Sequence, residues 1–307
     1  MSLRSEPTEL KMQNGIVPSG RPSRKKYWNV GADTLYFTIN DANYWYEIHG
    51  KGAPVVLFHG FTGSSGTWSH LIEAGKDQLQ FITIDLPGHG KTKMSNPRTM
   101  EACCKDISHL LDTLGYETVH VVGYSMGGRT ALSFAMAFPE RIRSLTLESA
   151  SPGLEVEETR EKRAVNDEEL AKRIERNGIR EFVHFWENIP LFESQKDLPA
   201  AIQQKIRKER LEQSESGLAM SLRYMGTGSQ PSWWSMLHTF EKPVQLLVGE
   251  RDEKFVSINK KMQSFFFSCK LIEVEDAGHA IHVEKPDVFD KLVIDYIKLQ
   301  EQLHKEK

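Results

Sequence analysis

The stretch Val119-His120-Val121-Val122-Gly123-Tyr124-Ser125-Met126-Gly127-Gly128-Arg129 limits what this chain can fold into more than any other. A β-branched run leads into Gly-Tyr-Ser-Met-Gly, and Arg129-Thr130-Ala131-Leu132-Ser133-Phe134-Ala135-Met136-Ala137 reads as a helix. Strand, G-x-S-x-G turn and helix together set a serine on a tight, strained corner with its hydroxyl exposed. Glycines flank it because a Cβ would clash where strand and helix close together. The helix aims its N-terminal N–H groups and positive dipole end at negative charge forming beside Ser125. Ser125 is therefore read as a nucleophile or base. The competing reading is a glycine-rich loop that binds phosphate, but the Gly-Lys-Ser/Thr ending such loops carry is missing.

A strand–turn–helix corner needs a sheet, and the flanking sequence supplies one. Thr34 to Ile39 and Tyr44 to Ile48 alternate apolar and polar residues around Asn40-Asp41-Ala42-Asn43, which predicts an antiparallel hairpin. Val55 to Phe58 is a short apolar run ending in His59-Gly60-Phe61-Thr62-Gly63, a buried strand and its loop. Phe81 to Ile84 reads as a strand closed by Asp85-Leu86-Pro87-Gly88-His89-Gly90, and Met100 to Leu114 as a helix with Ile107, Leu110, Leu111 and Leu114 at helical spacing. Arg143 to Leu147 follows the Ser125 helix as another strand. Later strands are predicted at Val244 to Val248 and Leu271 to Val274, with helices at Phe255 to Phe267 and Pro286 to Leu303. Alternating strands and helices predict an α/β fold, a mostly parallel sheet flanked by helices.

Between residues 152 and 238 the texture changes. Glu155 to Arg176 carries 14 charged residues in 22, with Val156, Ala164, Leu170, Ala171 and Ile174 as sparse apolar anchors. Helical patterns continue at Gly178 to Trp186, Leu198 to Gln213 and Leu218 to Tyr224, and no strand pattern intervenes. The segment reads as an all-helical cap inserted into one sheet domain formed by residues 27–151 and 239–307. Residues 1–26 are polar, with Pro7, Pro18, Pro22 and Arg24-Lys25-Lys26, and read as a disordered tail.

Size and charge narrow the function classes. At 307 residues a sizeable core can be buried. A formal net charge of −3 argues against a general nucleic-acid binder. No apolar run approaches the roughly 20 residues a membrane span needs. Three cysteines, Cys103 and Cys104 adjacent, form neither a disulfide framework nor a zinc spacing, so reduced thiols and a cytoplasmic location are expected. Oligomeric state is not set by any of these features.

Side chains that act in such sheets collect beyond the carboxyl ends of the strands. Ser125, Asp252 and His279 each follow a separate predicted strand. His279 would take the hydroxyl proton, and Asp252 would hold the other ring nitrogen and fix the tautomer. His282 is the rival histidine, and Gly278 favours His279 by giving it a tight turn after the strand. Glu250 and Glu253 remain rivals to Asp252. Two backbone N–H groups, of Met126 and of the His59-Gly60-Phe61 loop, would form an oxyanion hole. His59 and His89 read as braces of their loops. Arg129 lies about one helical turn past Ser125, where it offers a bidentate carboxylate site or an ion pair with a neighbouring acid.

These motifs resemble the α/β-hydrolase superfamily over about residues 34–303: His59-Gly60-Phe61, Asp85 to Gly90, the Ser125 corner, and the Asp252 and His279 turns. Within it the chain resembles the 2-succinyl-6-hydroxy-2,4-cyclohexadiene-1-carboxylate synthase family of menaquinone biosynthesis. That narrower likeness rests on Gly123 to Arg129 and Glu148-Ser149-Ala150-Ser151-Pro152-Gly153-Leu154. Arg163 before Asn166-Asp167, Phe182-Val183 with Trp186, Pro190-Leu191-Phe192, Arg210 ahead of Gly217-Leu218-Ala219, and Gly249 to Phe255 add to it. The tail before residue 27 and the Asn40 to Asn43 hairpin lie outside the family's motifs.

The resemblance implies a lyase. Its substrate is a cyclohexene carrying succinyl, enolpyruvyl and ring carboxyl groups, and pyruvate is eliminated from it. Ser125 would act as a base with His279 and Asp252, and the N–H groups of Phe61 and Met126 would hold an enolate. Arg129, Arg163 and Arg210 would bind the carboxylates, and Tyr124 and Trp186 would line the pocket. No metal or organic cofactor is implied, and the expected partner is a small-molecule polycarboxylate, with neither nucleic acid nor membrane. Read without the resemblance, Arg163 and Arg210 lie in charged helices where solvated salt bridges are the default. Two other functions stay open: a carboxylic-ester or C–C bond hydrolase acting through an acyl-enzyme on Ser125, and a ligand-binding receptor on the same fold.

Overall fold

Asn40 turns the first hairpin with a φ of 53°, a left-handed conformation that asparagine tolerates better than most residues. The turn is tighter than the sequence suggests: β1 (Asp33–Ile39) and β2 (Ala42–Gly50) are joined through Asn40-Asp41 alone, because buried Ala42 already pairs with Ile39. The computed structural model describes residues 33–306, and the tail predicted for residues 1–26 lies outside them.

The chain continues through β3 (Ala53–Phe58), α1 (Ser69–Gly75), β4 (Leu79–Ile84), the two-residue β5 (Lys93–Met94) and α2 (Met100–Leu114). Next come β6 (Val119–Tyr124), α3 (Met126–Ala137) and β7 (Ile142–Glu148). The strands run in the order β1-β2-β4-β3-β6-β7, then β8 (Val244–Gly249) and β9 (Cys269–Val274). β1 and β2 are antiparallel at one end, with β5 paired to β2, and every junction from β4 to β9 is parallel.

Alternation along each strand feeds two layers. Val56, Phe58 and Val121 face Ile107 and Leu110 of α2 and Phe134 of α3. Val55, Leu57 and Val122 face Leu71 of α1 and Phe289, Val293 and Ile297 of α9 (Pro286–Lys305). Both sheet faces are thus covered, as a parallel sheet requires. From β3 the chain adds β4 on one side, then crosses to add β6 on the other. That reversal places the carboxyl ends of β3 and β6 at a topological switch point, where such sheets bind ligands.

Between β7 and β8 lie α4 (Glu157–Trp186), α5 (Ala200–Leu211) and α6 (Glu215–Met225), with a 3-10 segment at Pro190–Asp197. α4 breaks at Gly178, whose φ is 83°, and Glu215 accepts the Ile179 N–H at 3.2 Å to start the second half. Ala171, Ile174, Phe182, Val183, Leu218, Ala219 and Leu222 form this segment's own core. Each large side chain among them contributes about 1.5–3 kcal/mol by burial. α7 (Glu253–Gln263) and the single turn α8 (Ile281–Glu284) complete the elements. α7 is shorter than the predicted Phe255 to Phe267, starting at the residue after Asp252 and ending at Gln263. Among the described residues no helix is long and apolar enough to cross a membrane.

Candidate active site

Ser125 holds a φ of 51° and a ψ of −108°, a strained conformation for a residue with a Cβ. Hydrogen bonds enforce it: the Ser125 N–H donates to Glu148 O at 2.9 Å, and Ser125 O accepts from the Arg129 N–H at 2.9 Å. Gly127 is needed because a Cβ there would sit 2.0 Å from Phe58 O and 2.4 Å from His59 O. α3 therefore starts directly against the end of β3 and the loop that follows it.

The Ser125 hydroxyl donates to His279 Nε2 at 2.9 Å, and His279 Nδ1–H donates to Asp252 Oδ2 at 2.6 Å. This fixes the tautomer with the proton on Nδ1 and leaves Nε2 as the acceptor. Asp252 Oδ1 meanwhile caps α7, accepting the Phe255 N–H at 3.4 Å. The Asp252 and His279 turns meet because Gly249 lacks a Cβ, which would lie 2.0 Å from Gly278 O. The rivals are occupied elsewhere. Glu250 accepts the Asp276 N–H, and His282 Nδ1 lies 2.9 Å from Glu148 Oε2 in a buried pair.

Met126 begins α3 directly after Ser125 and Phe61 lies in the loop after β3, and neither N–H has an acceptor among the described residues. The Phe61 loop is held by His59. Leu86 N–H donates to its Nε2 at 2.9 Å, so its Nδ1–H donates to Gly60 O at 2.8 Å. Burial lowers the His59 pKa and pushes that of His89 down to about 3, so both rings are uncharged braces. A Cβ on Gly60 would touch the Tyr124 ring at 2.5 Å, so loop and Ser125 corner lie against each other.

Tyr124 packs between His279 and His282, with ring centroids 5.4 and 4.5 Å away, and burial raises its phenol pKa. Trp186 stacks on Phe182 at 5.5 Å and meets Phe61 at 5.4 Å and Phe192 at 5.8 Å. Phe192 in turn meets the His279 ring edge-on at 6.1 Å. Aromatic side chains of the helical segment thus reach the Phe61 loop and the His279 ring directly.

The three arginines differ. Arg129 donates through Nη1 to Met225 O at 2.9 Å and to Gln230 Oε1. Its Nε and Nη2 groups have no acceptor among the described residues. Desolvation and the Arg163 charge lower its pKa to about 10, so it stays cationic at neutral pH. Arg210 is buried, lies 4.6 Å over the Phe192 ring and donates to Gln195 Oε1 at 3.1 Å. Burial lowers its pKa. Neither has a carboxylate partner among the described residues, whereas Arg163 is paired with Asp167 at 2.7 Å and partly exposed. The Arg163 charge is close enough to be felt at Arg129.

A cavity of about 450 Å³ borders Asp252, Gly278 and His279 on the sheet side and Pro190, Leu191 and Ser194 on the other, and none of the three arginines lines it. Among the described residues no cluster of three or more His, Cys, Asp or Glu could hold a metal.

Several contributors have no motif. Glu284 accepts the Gly278 N–H at 2.6 Å and the Ala280 N–H at 3.2 Å, clamping both sides of His279. Glu148 accepts the His282 N–H at 3.0 Å and supports the same turn from β7. Gln195, Gln230 and Phe192 complete the surroundings of the arginines. A glutamate five residues after the histidine is visible in the sequence, but nothing in its spacing says that it folds back.

An α/β hydrolase fold family model matches residues 53–286. A Bacillus subtilis (strain 168) protein that bears the name 2-succinyl-6-hydroxy-2,4-cyclohexadiene-1-carboxylate synthase provisionally is 42% identical over 86% of this chain and 98% of its own length. A Salmonella agona (strain SL483) protein with that name unqualified is 31% identical over 76% of this chain and 90% of its own. The solved structure of MenH from S. aureus superposes with a TM-score of 0.81 at 38% identity, over 83% of this chain and 98% of that one. Likeness of this extent reaches through the helical segment as well as the sheet, and the chain belongs to the α/β hydrolase fold family and, within it, to the 2-succinyl-6-hydroxy-2,4-cyclohexadiene-1-carboxylate synthases.

Proposed function

We propose that this chain is a carbon–oxygen lyase of menaquinone biosynthesis. It eliminates pyruvate from 2-succinyl-5-enolpyruvyl-6-hydroxy-3-cyclohexene-1-carboxylate and leaves 2-succinyl-6-hydroxy-2,4-cyclohexadiene-1-carboxylate. Ser125 Oγ, its own proton passed to His279 Nε2, takes a proton from the ring carbon beside the succinyl ketone. Asp252 stabilises the imidazolium that forms. Negative charge moves onto the ketone oxygen, where the N–H groups of Phe61 and Met126 hold it. Collapse of that enolate through the ring double bond breaks the C–O bond, and pyruvate leaves as its enolate to be protonated at carbon. The step consumes no water and forms no bond to Ser125.

One observation carries the reading: half-buried Arg129, one helical turn past Ser125, and buried Arg210, over the Phe192 ring that meets His279, make no ion pair among the described residues. Uncompensated buried charge is costly, and a substrate bearing several carboxylates supplies the missing partners. Arg163, lent by Asp167, adds a third cation at the rim, and Tyr124 and Trp186 give the ring its walls. The same reading assigns the chain to the cytoplasm. Three free thiols, Cys103 and Cys104 among the core residues, support that.

The test is pyruvate release from the enolpyruvyl substrate by the purified chain. Ser125→Ala should lower kcat by about a thousandfold, the scale of a lost general base. Arg129→Ala should lower kcat/KM about a hundredfold, mainly through KM, as when one partner of a desolvated charge pair is removed. Fast turnover of simple esters with a covalently trapped Ser125 and no pyruvate release would make the chain an acyl-enzyme hydrolase instead. Absence of any turnover would favour a receptor.

A further inference from the structure

Acids are plentiful around the cap arginines, and most of those arginines take one. Arg223 is bound by both Glu168 and Glu175, Arg173 by Glu181, and Arg163 by Asp167. The two arginines beside the relay are held differently. Arg129 is fixed by the Gln230 amide oxygen and a main-chain carbonyl, and Arg210 by the Gln195 amide oxygen and the face of Phe192. Both glutamines are buried, Gln230 to 1% exposure and Gln195 to 8%.

Gln230 is staked down by its surroundings. Its N–H donates to Gly226 O at 3.0 Å, the nearby Trp233 N–H donates to Pro152 O at 2.8 Å, and Trp233 Nε1 donates to Ser133 of α3 at 2.9 Å. Its own Nε2 is buried with no acceptor among the described residues, an open donor beside the arginine. Since Nη1 of Arg129 carries both protein hydrogen bonds, the Nε and Nη2 groups are left as a parallel pair of donors. That edge matches the two oxygens of a carboxylate.

We infer that Gln230 and Gln195 are the specificity-determining positioning residues of this site. They are neutral clamps that fix Arg129 and Arg210 in place while leaving their charge free for substrate carboxylates. The inference rests on the lyase reading above, in which these arginines meet the substrate. A glutamate in either place would orient the arginine equally well and neutralise it, and incoming carboxylate would then compete with a permanent one.

Four full-length variants test this by pyruvate release and thermal melting: Gln230→Glu, Gln195→Glu, Gln230→Met and Arg129→Ala. The glutamate variants should melt at or above the wild-type temperature, because each gains an ion pair, yet show KM raised on the order of tenfold with a smaller change in kcat. Gln230→Met keeps the shape and the free charge but loses the acceptor, so its KM should rise less than in Gln230→Glu although its melting temperature is lower. This opposite ordering of stability and KM is what a merely structural glutamine would not give. If both glutamate variants keep a wild-type KM while Arg129→Ala raises it, the clamps are structural and the inference falls. If the glutamate variants do not fold, a wild-type KM in Gln230→Met overturns it equally. An unchanged KM in Arg129→Ala overturns the substrate-binding reading itself, and the inference with it.

Discussion

At the scale of single residues, the site is built from groups whose charge state is chosen by burial. His59 and His89 sit directly behind the Phe61 loop, their ring centroids 5.1 Å apart, and desolvation keeps both neutral. His89 donates Nδ1–H to Pro87 O at 3.1 Å, and its buried Nε2 has no partner among the described residues. This has a consequence for acid stability. The folded pKa of His89, about 3, lies below the ordinary 6.5. Between those values the unfolded chain takes up a proton that the folded chain refuses. The stabilisation is complete above about pH 6.5 and is lost as pH falls from there towards 3, at about 1.4 kcal/mol per pH unit for one such histidine. Denaturant unfolding between pH 7 and 4 should show this slope, and His89→Phe should flatten it by about that amount between pH 6 and 4. An identical slope in the variant would refute the assignment.

At the scale of elements, the key geometry is the turn between β9 and α9 that presents His279. Glu284 is its clamp, receiving the N–H groups on either side of the histidine. Glu284→Ala should lower kcat for pyruvate release by about tenfold or more, since small misplacements of a reacting group are that costly, and leave KM within about twofold. Glu284→Gln, which keeps one acceptor, should fall between. A change confined to KM would show that Glu284 acts on substrate instead. The sequence displays much of this architecture and conceals this part of it. β6, α2 and α3 are legible because their patterns run for several residues: the Val119 to Val122 run, the helical spacing of Ile107, Leu110 and Leu111, the glycines around Ser125. α1 is not, because seven residues are too few for a helical period to repeat, and its start depends on the 3-10 turn Ser65–Trp68 capped by Ser64. Glu148 and His282 are 134 residues apart and Arg129 and Gln230 are 101 apart. Contacts of that kind follow from how strands and cap are layered, not from any local spacing.

At the scale of the whole molecule, charge is sorted by depth. The chain carries a formal net charge of −3, and the outer face of α4 is laced with exposed pairs such as Lys162–Glu158 and Lys172–Glu169, which contribute little to stability. Further in, half-buried Arg129 and buried Arg210 make no ion pair among the described residues, two cations beneath a mildly negative surface. The folded chain leaves these cations short of anions, and the unfolded chain does not. Any small dicarboxylate that fits there binds only the native state and must raise the melting temperature by mass action. Succinate at about ten times its dissociation constant should add about 1.4 kcal/mol, or roughly 2 °C for a chain of this size. Sodium chloride at equal ionic strength and the neutral diamide of succinate should do neither. Arg129→Ala and Arg210→Ala should each remove most of the succinate shift. Melting curves that move equally with chloride and succinate would mean that the interior cations are satisfied within the protein, and that the site recognises its ligand by shape alone.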